Sequence, residues 1–73
     1  MAKRESAQQP YRCEATMSDG SATVLFASCS TPAVALWMVR DAWLASGQEP
    51  VEIRVYADGK VKSVGPPLVR WRA

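Results

Sequence analysis

Residues 11–26, "YRCEATMSDGSATVLF", decide the fold. Two runs of alternating apolar and polar residues flank a short polar centre, and a period of two marks half-buried strands. Asp19-Gly20 is a two-residue turn signal, because a type I′ turn needs positive φ at both central positions. Such a loop pairs Met17 with Ala22, Ala15 with Val24, Cys13 with Phe26 and Tyr11 with Ser28. That register gathers Tyr11, Cys13, Ala15, Met17, Ala22, Val24 and Phe26 on one face. The other face carries Arg12, Glu14, Thr16, Ser18, Ser21 and Thr23, with Leu25 as the exception. A three-residue loop breaks this segregation, so the two-residue turn is expected. The same pairing turns Cys13 inward and puts Cys29 on the opposite side, beside Pro10. Opposed Cβ vectors cannot be bridged. Two free thiols are therefore expected, both structural, although Cys29 precedes a helix N-terminus where a thiol can be activated.

Downstream, "STPAVALWMVRDAWLASG" (residues 30–47) reads as a helix. Ser30 or Thr31 suits the N-cap, Pro32 the first helical position, and Gly47 the left-handed position beyond the end. At about 100° per residue, Ala35, Leu36, Val39, Ala42 and Trp43 share the stripe that should face a sheet. Val34, Trp37, Met38, Leu44 and Ala45 lie on the far side, with Asp41 among them. This helix has more apolar surface than one small sheet can cover.

A second hairpin is expected in "VEIRVYADGKVKSVG", residues 51–65. Its pattern favours a three-residue loop, Ala57-Asp58-Gly59, with Gly59 in a G1 bulge. Val55 then pairs with Val61, and Tyr56 with Lys60. The inner face holds Val51, Ile53, Val55, Val61 and Ser63; the outer holds Glu52, Arg54, Tyr56, Lys60, Lys62 and Val64. Pro66-Pro67 ends the strand. In the closing "GPPLVRWRA", Leu68, Val69 and Trp71 alternate with Arg70 and Arg72 and can fold back over a core edge.

These elements predict an α+β fold: a ββαββ two-layer domain, a four-stranded antiparallel sheet with one helix on one face. Strand orders 2-1-3-4 and 1-2-4-3 both satisfy the connections. Residues 1–9 read as a flexible leader, 10–65 as the domain and 66–73 as a tail that can pack back on it. The expected core is Cys13, Ala15, Met17, Val24, Phe26, Leu36, Val39, Trp43, Ile53, Val55 and Val61.

Composition narrows function further. A chain of 73 residues is one domain that buries only roughly 60% of its unfolded surface, which leaves little room for an enclosed pocket. It has no histidine, hence lacks the commonest general base and the commonest neutral metal ligand. Its two cysteines cannot complete a four-ligand zinc site. The serines of "SCST" have no base partner, no Gly-rich phosphate loop is present, and the carboxylate pairs Glu14/Asp19 and Glu49/Glu52 have no geometric reason to converge. The expected protein is not an enzyme and uses no cofactor. Neither a membrane-length apolar run nor the h-region of a secretory signal is present, which predicts a cytoplasmic location with reduced thiols. Net charge is only +2, yet Arg54, Lys60, Lys62, Arg70 and Arg72 share the last third with a single acid, Asp58.

Two surfaces emerge as candidates. Val34, Trp37, Met38 and Leu44 form an apolar patch that either the tail covers, through Leu68 and Trp71, or another chain does: a different protein or a second copy. Arg54, Lys60, Lys62, Arg70 and Arg72, interleaved with Tyr56 and Trp71, form a basic, aromatic group. That group suits an acidic protein surface, single-stranded nucleic acid, or ordinary solvation of a sheet face.

A small domain with the hairpin "YRCEATMSDGSATVLF", the helix "TPAVALWMVRDAWLASG" and the segment "VEIRVYADGKVKSV" resembles the small anti-CRISPR proteins of phages and mobile elements. Type I inhibitors of that group include compact sheet-plus-helix members. The resemblance spans residues 10–65 and is one of size and architecture, with no diagnostic motif. It implies a non-enzymatic inhibitor in the host cytoplasm, monomeric or homodimeric, that binds a type I surveillance (Cascade) complex and blocks recruitment of target DNA. Inhibitors that mimic DNA are acidic, whereas this chain is basic in its last third. Docking on an acidic or apolar protein surface is therefore implied instead. The alternatives are a nucleic-acid-binding module using the open sheet face, or a homodimeric interaction module.

Overall fold

Small side chains at the middle of the first strand position everything else. The computed structural model describes residues 8–58 and 65–73. Strand β1, Gln9–Met17, alternates buried and half-buried positions. Its inward residues Tyr11, Cys13, Ala15 and Met17 are buried, and Cys13 and Ala15 are fully so. These two short side chains let the helix lie close over the sheet centre.

Strand β2, Ala22–Cys29, pairs with one edge of β1, and strand β3, Pro50–Ala57, with the other; strand β4, Val69–Arg72, completes the antiparallel order β2-β1-β3-β4. Helix α1, Pro32–Ala45, follows β2 and packs on one face. The molecule is thus the expected ββαββ α+β fold, in the first of the two strand orders.

The first hairpin differs from expectation by one residue. Thr16 pairs with Ala22, Cys13 with Leu25, Arg12 with Phe26 and Tyr11 with Ala27. Its loop has three residues, not two. Gly20 N–H donates to Met17 C=O (2.9 Å), Met17 N–H donates to Ser21 C=O (2.8 Å), and Gly20 takes φ +90°. Asp19 fixes the turn: its Oδ1 accepts from the Ser21 amide at 2.9 Å and the Ser21 hydroxyl at 2.7 Å. A type I turn followed by a left-handed glycine is the usual three-residue hairpin loop, and Asp-Gly serves it as well as a type I′ turn. The one-residue slip reverses every β2 side chain. Leu25 and Ala27 pack against the core, and Cys29 is buried. Val24 and Phe26, expected in the core, are exposed on the open face, Phe26 to 66%. No atom lies within 4 Å of a Cβ built on Gly20. Gly20→Ala should therefore cost about 1–2 kcal/mol from backbone strain alone, read as a shift in the urea midpoint.

The slip also overturns the geometry expected for the thiols. Cys29 points inward like Cys13, and its Sγ donates to Thr31 C=O at 3.3 Å. Both cysteines are free.

Helix α1 starts and ends where its local chemistry dictates. Thr31 Oγ1 accepts from the Val34 amide at 3.2 Å, and Pro32 occupies the first turn. At the other end Gln48 N–H donates to Trp43 C=O and Gly47 N–H to Leu44 C=O, with Gly47 at φ +87°. These two bonds are a Schellman cap. Ala35, Leu36, Val39 and Trp43 face the sheet. Ala42, expected in that stripe, is exposed on its flank.

Strand β3 keeps Ile53 and Val55 fully buried. A register irregularity between Thr16 and Met17 brings Pro50 opposite Met17; Pro50 is buried, while Val51, expected inside, is exposed. The free edge of β3 is taken by β4, so Val55 sits between Cys13 and Val69. The segment expected as a tail supplies the fourth strand. The expected positions of Gly59, Lys60, Val61, Lys62, Ser63 and Val64 lie outside the described residues, as do residues 1–7 of the leader.

Candidate functional site

The expected outer patch of the helix is open. Val34, Trp37, Met38 and Leu44 are each about half exposed, with Trp37 at 50%. The closing segment does not cover them. Leu68 is itself exposed, and Trp71 lies on the inner side of β4, across from buried Ile53 and packed against the core. One residue ties the patch to the sheet. The Arg40 guanidinium lies over the Trp37 ring at 5.4 Å and over the Trp71 ring at 5.0 Å. Arg40 Nε is buried without a hydrogen-bond partner among the described residues. Stacking between two indoles compensates part of that loss, and it sets a fixed cation at the rim of an apolar surface.

The open sheet face is a second, chemically different surface. Phe26, Arg12 and Tyr56 form one cross-strand row; Val24, Glu14, Arg54 and Arg70 form the next; Ala22, Thr16, Glu52 and Arg72 form the third. Arg12 stacks on Tyr56, 4.8 Å from the ring centroid, and its Nε donates to Glu14 at 3.0 Å. Glu52 stands among three guanidiniums: Arg70 at 3.4 Å, Arg54 at 3.5 Å and Arg72 at 3.9 Å. Among the described residues, Arg54, Tyr56, Arg70 and Arg72 share this face, and Glu14 and Glu52 offset two of its four arginine charges, Arg12 included. Lys60 and Lys62 lie outside the described residues. Trp71 belongs to the helix side.

A shallow polar groove of about 220 Å³ runs between the first hairpin turn and the helix end, lined by residues such as Asp19 and Glu49. The bonds from Ser21 hold the Asp19 carboxyl below its ordinary range. A carboxylate so engaged is a turn fastener, not a proton acceptor. Among the described residues no group of three or more Cys, Asp or Glu could hold a metal, and no helix is long and apolar enough to cross a membrane. Compared with known proteins, the chain matches no family model, no curated protein and no solved structure.

Sequence reasoning missed Val24 and Phe26 as surface residues. Leu25, the exception in the two-residue register, is the one residue at odds with it, and it packs against the core.

Burial, reinforced by Cys29 nearby, pushes the Cys13 thiol from 9.0 up to about 11. The unfolded chain therefore loses this proton first, and the native state keeps it. Stability contributed by the neutral thiol is complete below pH 9 and is lost as pH rises through about 11. Urea midpoints at pH 8 and pH 10.5 should fall further apart for wild type than for Cys13→Ala.

Proposed function

We propose that this protein is a non-enzymatic protein-binding module whose outer helix face seats in an apolar groove on its partner. The exposed cluster of Val34, Trp37, Met38 and Leu44 carries this reading. Val34, Trp37 and Met38 follow the i, i+3, i+4 spacing by which helices anchor in grooves, and the cluster holds a tryptophan, the residue type that most often dominates binding energy. Arg40, gripped by Trp37 and Trp71, calls for a carboxylate at the rim of that groove. In its narrower form, suggested by size and architecture, the partner is a subunit of a type I surveillance complex and occupation of the groove blocks target DNA recruitment. Gel-shift of target duplex by purified surveillance complex tests this. Wild type should abolish the shift, and Trp37→Ala should weaken inhibition about thirtyfold, the equivalent of about 2 kcal/mol. A shift unaffected by excess wild type overturns the narrower reading. Inhibition untouched by Trp37→Ala with Met38→Ala moves the interface off the helix.

A second reading is favoured by the row Phe26–Arg12–Tyr56. Two rings and a stacked guanidinium on an open sheet are the materials for holding single-stranded nucleic acid. On that reading, fluorescence anisotropy with a labelled single-stranded oligonucleotide should report binding that falls steeply with salt. Phe26→Ala should lower affinity by about 1–3 kcal/mol.

A further inference from the structure

We propose that β2 pairs antiparallel with β2 of a second copy about a two-fold axis at Leu25, joining two four-stranded sheets into one of eight strands. The inference stands on the sheet edges that are free among the described residues, and of the outer helix patch it takes Met38 alone. The two edges are built differently. Strand β4 has four residues, two of them arginine, and short, charged edges resist pairing. Strand β2 has eight residues, "ATVLFASC", with no charge and no proline. A long, uncharged, apolar edge is a template for another strand.

Backbone direction fixes the register. Met17 N–H bonds Ser21 C=O across the hairpin, and in an antiparallel pair bonded and non-bonded positions alternate. Residues 23, 25, 27 and 29 therefore bond β1, while Ala22, Val24, Phe26 and Ser28 direct their N–H and C=O groups to the free edge. A second strand must match these even-numbered residues with even-numbered residues. Centring on Leu25 satisfies all four: Ala22 meets the partner's Ser28, and Val24 meets the partner's Phe26, each pair twice over. Shifting the centre to Val24 or Phe26 leaves part of the edge unpaired.

Side chains agree with that register. Opposed residues in antiparallel strands share a face, so exposed Val24 and Phe26 cover one another as two β-branched–aromatic pairs, a favourable cross-strand combination. With no charge on β2, a chain of net charge +2 meets its copy without like charges opposed at the seam. A second copy supplies the complement to every position, which is why it is the occupant chosen here.

The helices fit as well. Arg40 leans toward Trp71 on β4, so the opposite flank of α1, bearing Met38 and Ala42, looks over β2. The two β1 strands would stand three strand spacings apart, about 14 Å. Packed helices sit about 8–10 Å apart, and Met38 from each side is long enough to fill the difference. Trp37 and Leu44, on the other flank, stay open.

Sedimentation equilibrium of the full chain over a concentration series tests the proposal. The mass should rise from 8.0 kDa toward twice that value. Val24→Lys places two lysines on the diagonal about 7 Å apart and should weaken association by about tenfold or more, with circular dichroism unchanged. Trp37→Ala should leave association intact. Leu25→Cys should give a disulfide-linked dimer, because a non-bonded pair brings Cα atoms to about 4.5 Å, whereas wild type, with both thiols buried, should not. A wild type that stays at 8.0 kDa up to millimolar concentration overturns the proposal and leaves the edge to another protein's strand. A dimer that survives Val24→Lys but not Trp37→Ala overturns it in favour of the helix face. A dimer in which Leu25→Cys fails to cross-link overturns the register.

Discussion

Trp43→Ala should unfold the protein at 25 °C, and Trp37→Ala should not. Both tryptophans lie on the same 14-residue helix, yet Trp43 is only 3% exposed and Trp37 is 50% exposed. Trp43 sits in the last turn, where it meets the core under the Schellman cap, so truncation opens a cavity that the cap holds apart. A buried Trp→Ala change costs about 3–5 kcal/mol. Total stability for a chain of this size is about 4–11 kcal/mol, and small domains sit at the low end. One truncation therefore removes most or all of it. Trp37→Ala loses half a side chain's contact and the stacking on Arg40, about 0.5–1 kcal/mol. Thermal melts followed by far-ultraviolet circular dichroism decide the matter. A cooperative Trp43→Ala transition near wild type would mean the core does not depend on that indole. An unfolded Trp37→Ala would make the outer face part of the core and remove the basis for a helix-borne interface.

What could be read from sequence divides along a physical line. Signals confined to a few residues were legible. Thr31, Pro32 and Gly47 bound the helix as their own backbone chemistry requires, and the stripe of Leu36, Val39 and Trp43 follows from helical period alone. The outer patch was legible for the same reason, since whatever a helix does not turn to the sheet it turns away. The alternation of β1 held too, because its two faces differ sharply in polarity.

The register of β2 was not legible, because Asp19-Gly20 suits two loop lengths and each places apolar residues inside. Segregation favours Val24 and Phe26 inward; the structure takes Leu25, Ala27 and Cys29 instead. Asp19 decides it by engaging Ser21, a local bond that hydrophobic counting ignores. The cost of that choice is an exposed phenylalanine, on the edge that no other described residue protects. The fourth strand was hidden for a different reason. The alternation of Val69 and Trp71 with Arg70 and Arg72 is visible in the chain, but pairing with β3 is a non-local fact. The hairpin pattern points that edge to residues 60–64, between the expected loop Ala57-Asp58-Gly59 and Pro66-Pro67.

Glu52→Lys should loosen the β4 edge, and its salt dependence should reveal why. Glu52 is the only acid within reach of Arg70 and Arg72 among the described residues, and it also meets Arg54. Each such pair contributes about 1 kcal/mol or less at a partly exposed site. Reversing the charge removes three attractions and opposes the introduced ammonium directly to Arg72 across the strands, where like charges cost about 0.2–1 kcal/mol. The sum is about 1–3 kcal/mol, acting on a strand of four residues. Hydrogen exchange at residues 69–72 should accelerate before the rest of the sheet responds. Salt at 1 M shortens the Debye length to about 3 Å, so the added repulsion should be screened and part of the loss recovered. Glu52→Gln, which deletes the attraction without adding repulsion, should fall between the two. If neither substitution moves exchange at β4, the strand is held by Val69 and Trp71 against the core, and the arginines are free to serve a ligand. In that case Glu52→Lys should tighten single-stranded oligonucleotide binding, because Glu52 then competes with phosphate for the same guanidiniums. A stability loss with no gain in oligonucleotide affinity assigns the charged face to the architecture of the sheet and leaves recognition to the helix.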